Sequence, residues 1–432
     1  MKKVLVITYY WPPSGGAGVQ RWLKFVKYLR LYNWEPVIYT PENPEAPAID
    51  HSLEKDIPDN LTVIKTRIWE PYSIYKRITG QKQDEKVKAG FLSEKKKPSL
   101  AENFSVWVRG NLFIPDARKY WIKPSVRFLT KYLKENPVDA IVTTGPPHSM
   151  HMIGLGLKKN LNIPWLADFR DPWTNIDFYE KLKLTRFADR KHKKMEKQVL
   201  TEADAIIVVS PGMINDFKEK SVTEYDFIPN GYDKEDIKAD KVRKSKKFTL
   251  SHIGSLTLTR KAENLWLVLA ELIKENKSLS DDLEIRNVGK MDYHVVEMIE
   301  KAGLKQNFVM VDYLPHEQVI NEQKKASLLL LLINNTPNAK MILTGKLFEY
   351  LISGTPVICI GPRDGDAARI VKETHCGETF DFSDKTNLKS YILEAYDKFK
   401  QDKLTSNCKG VMQFDRYNLT GKVAMVLERI TN

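Results

Sequence analysis

The pattern of hydrophobic and polar positions alternates between short apolar runs and longer segments with apolar residues every three or four positions. Ser327–Ile333 is apolar on both faces, which is typical of a strand buried in a parallel sheet. A polar loop, Asn334–Gly345, follows it and leads into a short amphipathic helix, Lys346–Ile352. A second apolar strand, Pro356–Ile360, completes one βαβ unit, around which the rest of the pattern is arranged.

The same alternation recurs in both halves of the chain. In the first half it predicts strands at Lys3–Thr8, Pro36–Thr40, Asp139–Thr143, Pro164–Asp168 and Ala205–Val209. In the second half it predicts further strands at Thr249–Ile253, Leu283–Val288, Phe308–Val311 and Thr379–Phe382. Amphipathic helices separate these strands, so the pattern predicts an α/β protein with two doubly wound, Rossmann-like parallel sheets.

Composition divides the chain into domains. The polar segment Lys234–Lys247 is interpreted as a linker between an N-terminal domain, 1–233, and a C-terminal domain, 248–410. The last stretch, 411–432, reads as a helix that returns to the first domain. Residues 65–135 interrupt the regular rhythm of the first domain as a basic and aromatic excursion.

Charged residues of the second domain fall at predicted strand ends. Lys346 and Glu349 lie at the start of the helix after the central strand, where free N–H groups can bind phosphate and a carboxylate can bind hydroxyls. Arg260 and Lys261 follow the first strand of this domain after a short loop. These cations could neutralise a diphosphate. The alternative is a surface ion pair on the helix and a solvated arginine on the loop.

The first domain offers a second group of candidates. Gly15 and Gly16 allow the backbone to approach a ligand phosphate at a helix start, although a structural turn explains them almost as well. His148, Asp168, Arg170 and Asp171 follow strand ends. His148 could bond a sugar hydroxyl, but a structural histidine is the stronger prior, and an ion pair within the loop is the alternative for Arg170.

Several other chemistries lack support. No G-x-S-x-G elbow and no Cys/His zinc spacing occurs in the chain. Asp364-Gly365-Asp366 could serve as a metal-diphosphate motif, but Asp366 is better interpreted as the N-cap of the helix that follows. The three cysteines are widely spaced, which favours a reduced, cytoplasmic chain.

The net charge of +13 is concentrated in two stretches. Residues 65–135 contain 17 basic and 7 acidic side chains, and residues 181–197 contain 8 basic and 2 acidic ones. Aromatic residues are interleaved with cations in 104–133, as an element at the surface of an anionic membrane requires. The alternative is a helical pair with a solvated basic face. No apolar run approaches the 18 residues of a membrane span.

Five motifs in this order resemble the GT4 family of glycosyltransferases, which have the GT-B fold. They are YYWPPSGGAGVQR (Tyr9–Arg21), DFRDPW (Asp168–Trp173), IPNGYD (Ile228–Asp233), HIGSLTLTR (His252–Arg260) and GKLFEYLISGTPVI (Gly345–Ile358). The resemblance covers nearly the full length. It implies two domains facing a central cleft, with the donor nucleotide on the second and the acceptor on the first.

The resemblance also implies roles for individual residues. Glu349 would hold the ribose hydroxyls, and His148 would contact the transferred sugar. The acceptor would lie near Asp171. The implied catalytic group is His148, Asp171, Arg260 and Lys346. Donor-binding residues would be Gly15, Gly16, Ser255, Arg260, Lys261, Gly345, Lys346, Leu347 and Glu349, and acceptor-binding residues Asp168, Arg170, Asp171 and Trp173.

Two positions depart from the family pattern. Met341 stands where the family has the first glutamate of a pair, and Ser255 stands where it usually has an arginine. These departures leave the identity of the sugar open.

The resulting hypothesis is a retaining, metal-independent glycosyltransferase that needs no cofactor and uses a UDP- or GDP-sugar as donor. Its acceptor would be a lipid-linked or cell-surface glycan. It would be cytoplasmic and peripheral to the inner face of the cell membrane, held there through 104–133 and 181–197. The alternatives are a nucleotide-sugar epimerase or phosphorylase on the same fold, and a basic nucleic-acid-binding protein. The last lacks any recognisable reading motif, so no nucleic-acid partner is expected.

Overall fold

The structure, a computed structural model, describes residues 1–46, 48–70, 100–236, 242–260, 262–312 and 314–432. These residues form two compact units. Unit 1 contains the described residues up to 230 together with Arg416–Asn432, and unit 2 contains Gly231–Asp415.

Unit 1 is built on a seven-stranded parallel sheet with the order β3-β2-β1-β4-β5-β6-β7. Its central strands are mostly apolar and almost wholly buried, because helices cover both faces of a parallel sheet. The strands are β1 Lys2–Ile7, β2 Trp34–Pro41, β3 Thr62–Thr66, β4 Ala140–Gly145, β5 Trp165–Phe169, β6 Ala205–Val208 and β7 Tyr225–Phe227.

The helices of unit 1 turn an apolar face to this sheet. In α1, Val19, Leu23 and Val26 recur at helical spacing and are at most 1% exposed, which fixes the face that packs inward. The helices are α1 Ala17–Leu29, α2 Leu100–Leu112, α3 Lys119–Glu135, α4 Ser149–Leu161, α5 Arg186–Glu202 and α6 Pro211–Lys218.

Unit 2 repeats the architecture with a six-stranded parallel sheet in the order β10-β9-β8-β11-β12-β13. The strands are β8 Phe248–Ile253, β9 Leu283–Val288, β10 Phe308–Val311, β11 Leu328–Leu332, β12 Val357–Ile360 and β13 Gly377–Phe380. The helices are α7 Glu263–Glu275, α8 Lys277–Asp282, α9 Tyr293–Lys301, α10 His316–Lys325, α11 Gly345–Ile352, α12 Asp366–Thr374 and α13 Lys385–Lys400. The predicted central βαβ unit is confirmed as β11, α11 and β12.

The last helix, α14 (Arg416–Thr431), belongs to unit 1, as the sequence predicted. Leu419, Val423 and Leu427 are fully buried in the apolar core that also contains α1. The helix begins at Arg416 rather than near residue 411, because Asp415 is extended and a separate 3₁₀ turn, Val411–Phe414, precedes it.

Some predicted elements differ from the structure. Strand β3 was missed, because its five residues are all partly or fully exposed and carry no apolar run. The predicted helix 181–201 begins only at Arg186, where Thr185 accepts a hydrogen bond from the amide of Ala188. The basic excursion contains the helical pair α2 and α3, whereas residues 71–99 lie outside the described part of the chain.

Two predictions in unit 2 are also corrected, one for Asp366 and one for the cysteines. Asp366 is the first residue of α12 rather than its N-cap, which is Gly365. Asp364 forms an exposed ion pair with Lys340. The prediction that all cysteines are reduced is wrong, because Cys376 and Cys408 form a disulfide.

Cys359 is the free thiol. It is buried in β12, and burial raises the pKa of the thiol to about 12, so it is protonated and unreactive in the folded chain.

We expect one thiol to react with iodoacetamide when the unreduced protein is denatured, and three after reduction. The disulfide closes a chain segment with a sequence separation of 32. Replacing both Cys376 and Cys408 with serine should therefore lower the free energy of unfolding of unit 2 by about 3–4 kcal/mol. Calorimetry measures the change, with Cys359→Ala as the control. Three reactive thiols in the unreduced protein would contradict the pairing.

Candidate functional site

The order of strands in each sheet defines where a ligand can bind. In unit 1 the order reverses between β1 and β4, and in unit 2 it reverses between β8 and β11. Loops that leave the carboxyl ends of such strand pairs diverge and leave a crevice. The predicted site residues that lie in loops follow β1, β4, β5, β8 and β11. They therefore lie near the crevice of unit 1 or the crevice of unit 2.

The loop after β8 requires glycine. Gly254 has φ +115°, and a Cβ atom at this position would lie 2.8 Å from Nζ of Lys346. Gly289, which follows β9, has φ +119°, and its Cβ would lie 3.0 Å from the carbonyl oxygen of Gly254. Only glycine combines this backbone conformation with such close contacts. The loop after β8 is therefore held directly against the side chain of Lys346.

The start of α11 is the second part of this site. Thr344 precedes the helix, and its Oγ1 is buried without a hydrogen-bond partner among the described residues. A buried hydroxyl without a partner is uncommon. It adds a polar group to the free N–H groups and positive end of the helix dipole, which together form a suitable place for an anion.

Lys346 lies on the first turn of α11 and is held by a buried histidine. Its Nζ is 3.2 Å from Nε2 of His252, and Nδ1 of His252 is 2.8 Å from Oδ1 of Asn287. An ammonium group only donates, so Nε2 accepts and the proton of the neutral ring is on Nδ1. Burial lowers the pKa of His252, and Lys346 lowers it further. Burial, with nearby Arg260, lowers the pKa of Lys346.

Arg260 joins the two loops of the site. Its Nε donates to Oδ1 of Asn334 in the loop after β11, and its Nη1 donates to the carbonyl oxygen of Ser255 at 3.1 Å. The guanidinium is only half-buried, and the side chain of Ser255 is exposed. The predicted cations Arg260 and Lys346 are thus brought together, while Lys261 lies outside the described residues.

Glu349 is half-buried one turn along the same helix. Spacing of three places Lys346 and Glu349 on one face of α11. One carboxylate oxygen of Glu349 accepts a hydrogen bond from the side-chain amide of Gln323 at 2.9 Å. Gly345 is the first residue of the helix. Leu347 is corrected: its side chain is 0% exposed in the core, so it could meet a ligand only through its backbone.

In unit 1 the glycine-rich loop packs against its neighbours. The amide of Gly15 donates to the carbonyl oxygen of Ala48 at 2.8 Å, and a Cβ at Gly15 would lie 3.0 Å from Cβ of Asp50. Gly16 has φ +99° and immediately precedes α1. The close packing supports the structural-turn interpretation for Gly15, while the phosphate role of Gly16 at the helix start stays a prediction.

Asp168 has a structural position. Its carboxylate is 0% exposed and accepts hydrogen bonds from Nε and Nη2 of Arg21, at 2.9–3.1 Å, and from Nε1 of Trp22 at 2.6 Å. Oγ1 of Thr144 donates to it as well, at 2.8 Å. Arg21 also donates to the carbonyl oxygens of Ile228 and Pro229. We therefore assign Asp168 a structural role instead of the predicted acceptor contact.

Arg170 links the start of α1 to the end of β4. Its guanidinium donates to the carbonyl oxygens of Gly18, Gly145 and Pro146. These acceptors lie at the start of α1 and after β4, so the predicted loop ion pair is replaced by hydrogen bonds to the backbone. Burial lowers the pKa of Arg170, but the guanidinium remains charged.

His148 lies in a buried aromatic stack. Its ring is parallel to that of Trp173 at a centroid distance of 4.6 Å, and Nε1 of Trp173 is 3.1 Å from Nδ1 of His192. Burial lowers the pKa of His148, so the ring is neutral. Its Nδ1 is buried without a hydrogen-bond partner among the described residues. Trp173 is 3% exposed and positions His148, whereas Asp171 is exposed.

Sequence reasoning missed four residues of these sites: Arg21, His252, Gln323 and Thr344. Arg21 and His252 lie within motifs that already indicated the sites, and Thr344 directly precedes one. Gln323 carries no local signal, because it lies in a polar helix distant in sequence from Glu349.

Two family models match the chain. The model described as Glycosyltransferase Family 4 matches residues 15–236, and the model described as Glycosyl transferases group 1 matches residues 233–409. Together they span both units. A search of curated proteins finds no match.

Solved structures share the fold along the full length. A glycosyltransferase from Rickettsia africae ESF-5 has a TM-score of 0.64 at 13% identity, covering 99% of this chain and 98% of that one. WaaG, a glycosyltransferase involved in lipopolysaccharide biosynthesis, has a TM-score of 0.56 at 14% identity, covering 98% of this chain and 99% of that one. A mutant of TarM from S. aureus, in complex with UDP and two other ligands, has a TM-score of 0.57 at 11% identity, covering 100% of both chains. These likenesses confirm the predicted GT-B-like fold.

Replacing Asp168 with asparagine should destabilise unit 1 by about 3–5 kcal/mol, because it leaves the buried Arg21 guanidinium without its counter-charge. Urea denaturation followed by tryptophan fluorescence measures the change. Asp171→Asn is the matched control, since this exposed neighbour should change stability by less than about 0.5 kcal/mol. Equal effects of the two substitutions would show that the ion pair does not support the fold.

Proposed function

Because the chain belongs to glycosyltransferase family 4 and is a glycosyltransferase, we propose that it transfers a sugar from a nucleoside diphosphate donor bound in unit 2. The observation that carries this proposal is the arrangement of Arg260, Lys346 and Glu349 around the start of α11. Two cations and a helix start complement the negative charge of a diphosphate. The carboxylate beside them can accept hydrogen bonds from the hydroxyls of a ribose.

The donor diphosphate would bind at the positive end of α11. Lys346 and Arg260 supply charge, and the exposed N–H groups and Thr344 supply hydrogen-bond donors. As the bond between the sugar and the phosphate breaks, negative charge grows on the leaving group, and fixed cations stabilise it. This arrangement supports a metal-independent transfer. Retention of the anomeric configuration is proposed from the family resemblance alone.

Glu349 would select the ribose. A carboxylate accepts two hydrogen bonds from neighbouring hydroxyls, and one oxygen is already held by Gln323. UDP and GDP both carry these hydroxyls. The presence of UDP in the solved TarM complex favours testing a UDP-sugar first.

The acceptor would bind to unit 1 near Asp171. Asp171 is exposed just after β5. His148 is neutral and presents a buried nitrogen without a partner among the described residues, which suits a hydrogen bond to a sugar hydroxyl. Trp173 and Arg170 hold the stack and loops that place these two groups.

We also propose that unit 1 docks on an anionic membrane, where a lipid-linked or cell-surface glycan acceptor would be found. The two basic stretches are adjacent: Asn111 of α2 donates to the carbonyl oxygen of Lys183, and Lys183 donates to Asn103. Beside them, Phe104, Leu112 and Phe187 are 57%, 54% and 75% exposed. Exposed apolar side chains among lysines and arginines suit insertion at a headgroup layer.

Within the described ranges, no helix has both the length and the apolar content needed to cross a bilayer.

Glu349→Ala should lower kcat/KM for sugar transfer by roughly 100-fold, because a charged hydrogen bond to the ribose is lost. A screen of UDP-, GDP- and dTDP-sugars for thermal stabilisation first identifies the donor. Turnover is then measured in EDTA, where a metal-independent enzyme retains activity.

The control for this experiment is Glu373→Ala, an exposed glutamate on the next helix. Unchanged turnover of Glu349→Ala with every donor would rule out the site. Sugar conversion without an acceptor would indicate an epimerase, and a requirement for inorganic phosphate would indicate a phosphorylase.

Replacing Phe187 and Leu112 with serine should weaken binding to phosphatidylglycerol vesicles by roughly tenfold, because apolar burial at the interface is lost. Co-sedimentation at low salt measures the binding. Val222→Ser, a still more exposed apolar position elsewhere in unit 1, is the control and should bind like the wild type. A wild-type protein that stays in the supernatant with these vesicles would refute the membrane proposal.

A further inference from the structure

Gln323 is a buried polar side chain near the donor site that no motif indicates. It lies on α10 and is 1% exposed. Burying an amide is unfavourable unless it is hydrogen-bonded. Its Nε2 donates to Oε2 of Glu349 at 2.9 Å, which links α10 to the helix that carries the donor-site charges.

We propose that Gln323 is a positioning residue that orients the carboxylate of Glu349 toward the ribose of the nucleotide. The proposal rests on the function proposed above. A glutamate side chain has several rotatable bonds, and ordering it on binding costs free energy. A fixed donor on one oxygen meets this cost before the ligand arrives and leaves the other oxygen free to accept from a hydroxyl.

The chemistry of an amide suits this task. An arginine or lysine in the same place would neutralise the carboxylate and compete with the ribose for both oxygens. A neutral amide orients the group while leaving its charge in place. The neighbouring residue shows the contrast, because Glu322 is paired with Arg286 at 2.8 Å.

The backbone of Gln323 is fixed as well. Its carbonyl oxygen accepts a hydrogen bond from Oγ1 of Thr355 at 3.1 Å. Oγ1 of Thr355 in turn accepts a hydrogen bond from Nζ of Lys244 at 2.8 Å. Thr355 is fully buried and follows α11 by three residues. The last turn of α10 is therefore hydrogen-bonded both to the middle of the donor-site helix and to the segment that follows it. Such support on two sides is what keeps a binding group within the narrow geometry that its ligand requires.

The test compares nucleotides with and without ribose hydroxyls. Binding of UDP and GDP, and of their 2′,3′-dideoxy forms, is measured by calorimetry for the wild type, Gln323→Met and Gln318→Met. Methionine matches the size of glutamine but donates no hydrogen bond. Gln318 is exposed on the same helix and serves as the matched control. We expect Gln323→Met to weaken binding of the ribose nucleotide roughly fivefold and to leave binding of the dideoxy form unchanged.

Kinetics supply a second readout. Gln323→Met should raise KM for the nucleotide sugar by a similar factor and change kcat by less than about twofold, because a lost ribose contact weakens ground state and transition state alike. The double variant Gln323→Met/Glu349→Ala should bind no more weakly than Glu349→Ala alone, since Gln323 acts through Glu349. If Gln323→Met does not fold, Gln323→Leu also removes the donor with a smaller apolar side chain, and the same ribose-specific loss is expected.

The outcomes separate this inference from the proposed function. If the Glu349→Ala variant still binds ribose nucleotides more tightly than the dideoxy forms, the ribose role of Glu349 itself is overturned. Glu349→Ala that loses the preference while Gln323→Met retains it overturns the positioning role only. Equal weakening of ribose and dideoxy nucleotides by Gln323→Met would show that the amide merely supports the fold, and it would overturn the inference as well.

Discussion

Parallel pairing within each sheet is the constraint on which the candidate site depends. It directs the carboxyl ends of all strands in a unit to one edge, so that residues distant in sequence become neighbours. In unit 2 it places the loop after β8, which carries Arg260, beside the loop after β11, which leads to Lys346. The strand interiors, such as Leu328–Leu332, are apolar and supply burial. The charged side chains Arg260, Lys346 and Glu349 lie beyond the strands.

Elements and the approximate place of the charges could be predicted from the sequence because both follow from local pattern. Partners that fold onto a residue from elsewhere could not. Asp168 lies at the end of β5 and Asp171 lies just after it, yet Asp168 is buried in an ion pair with Arg21 and Asp171 is exposed. The pairing of Cys376 with Cys408 likewise has no local signal, since 32 positions separate them and no spacing motif joins them.

Neutral buried groups hold the functional side chains in both units. His252 accepts from Lys346, and the ring of Trp173 stacks on His148. Neutral partners hold these side chains in place without introducing a competing charge. A buried ion pair, such as that of Arg21 with Asp168, would also hold a charged side chain in place. Its partner would neutralise the charge within the protein, so that it could not bind a ligand. The contrast separates groups that support the fold from groups that remain able to bind a ligand.

The donor-site helix shows this distinction most directly. Spacing of three along α11 allows Lys346 and Glu349 to form a surface ion pair, which was the simpler interpretation of the sequence. The structure instead directs Lys346 to His252 and Glu349 to Gln323, and no ion pair joins these two described residues. Opposite charges that could neutralise each other are held by separate neutral partners. Leaving the two charges unpaired lowers stability unless a ligand binds them. A nucleotide can bind both, because its anionic diphosphate complements Lys346 and its ribose hydroxyls can donate to Glu349.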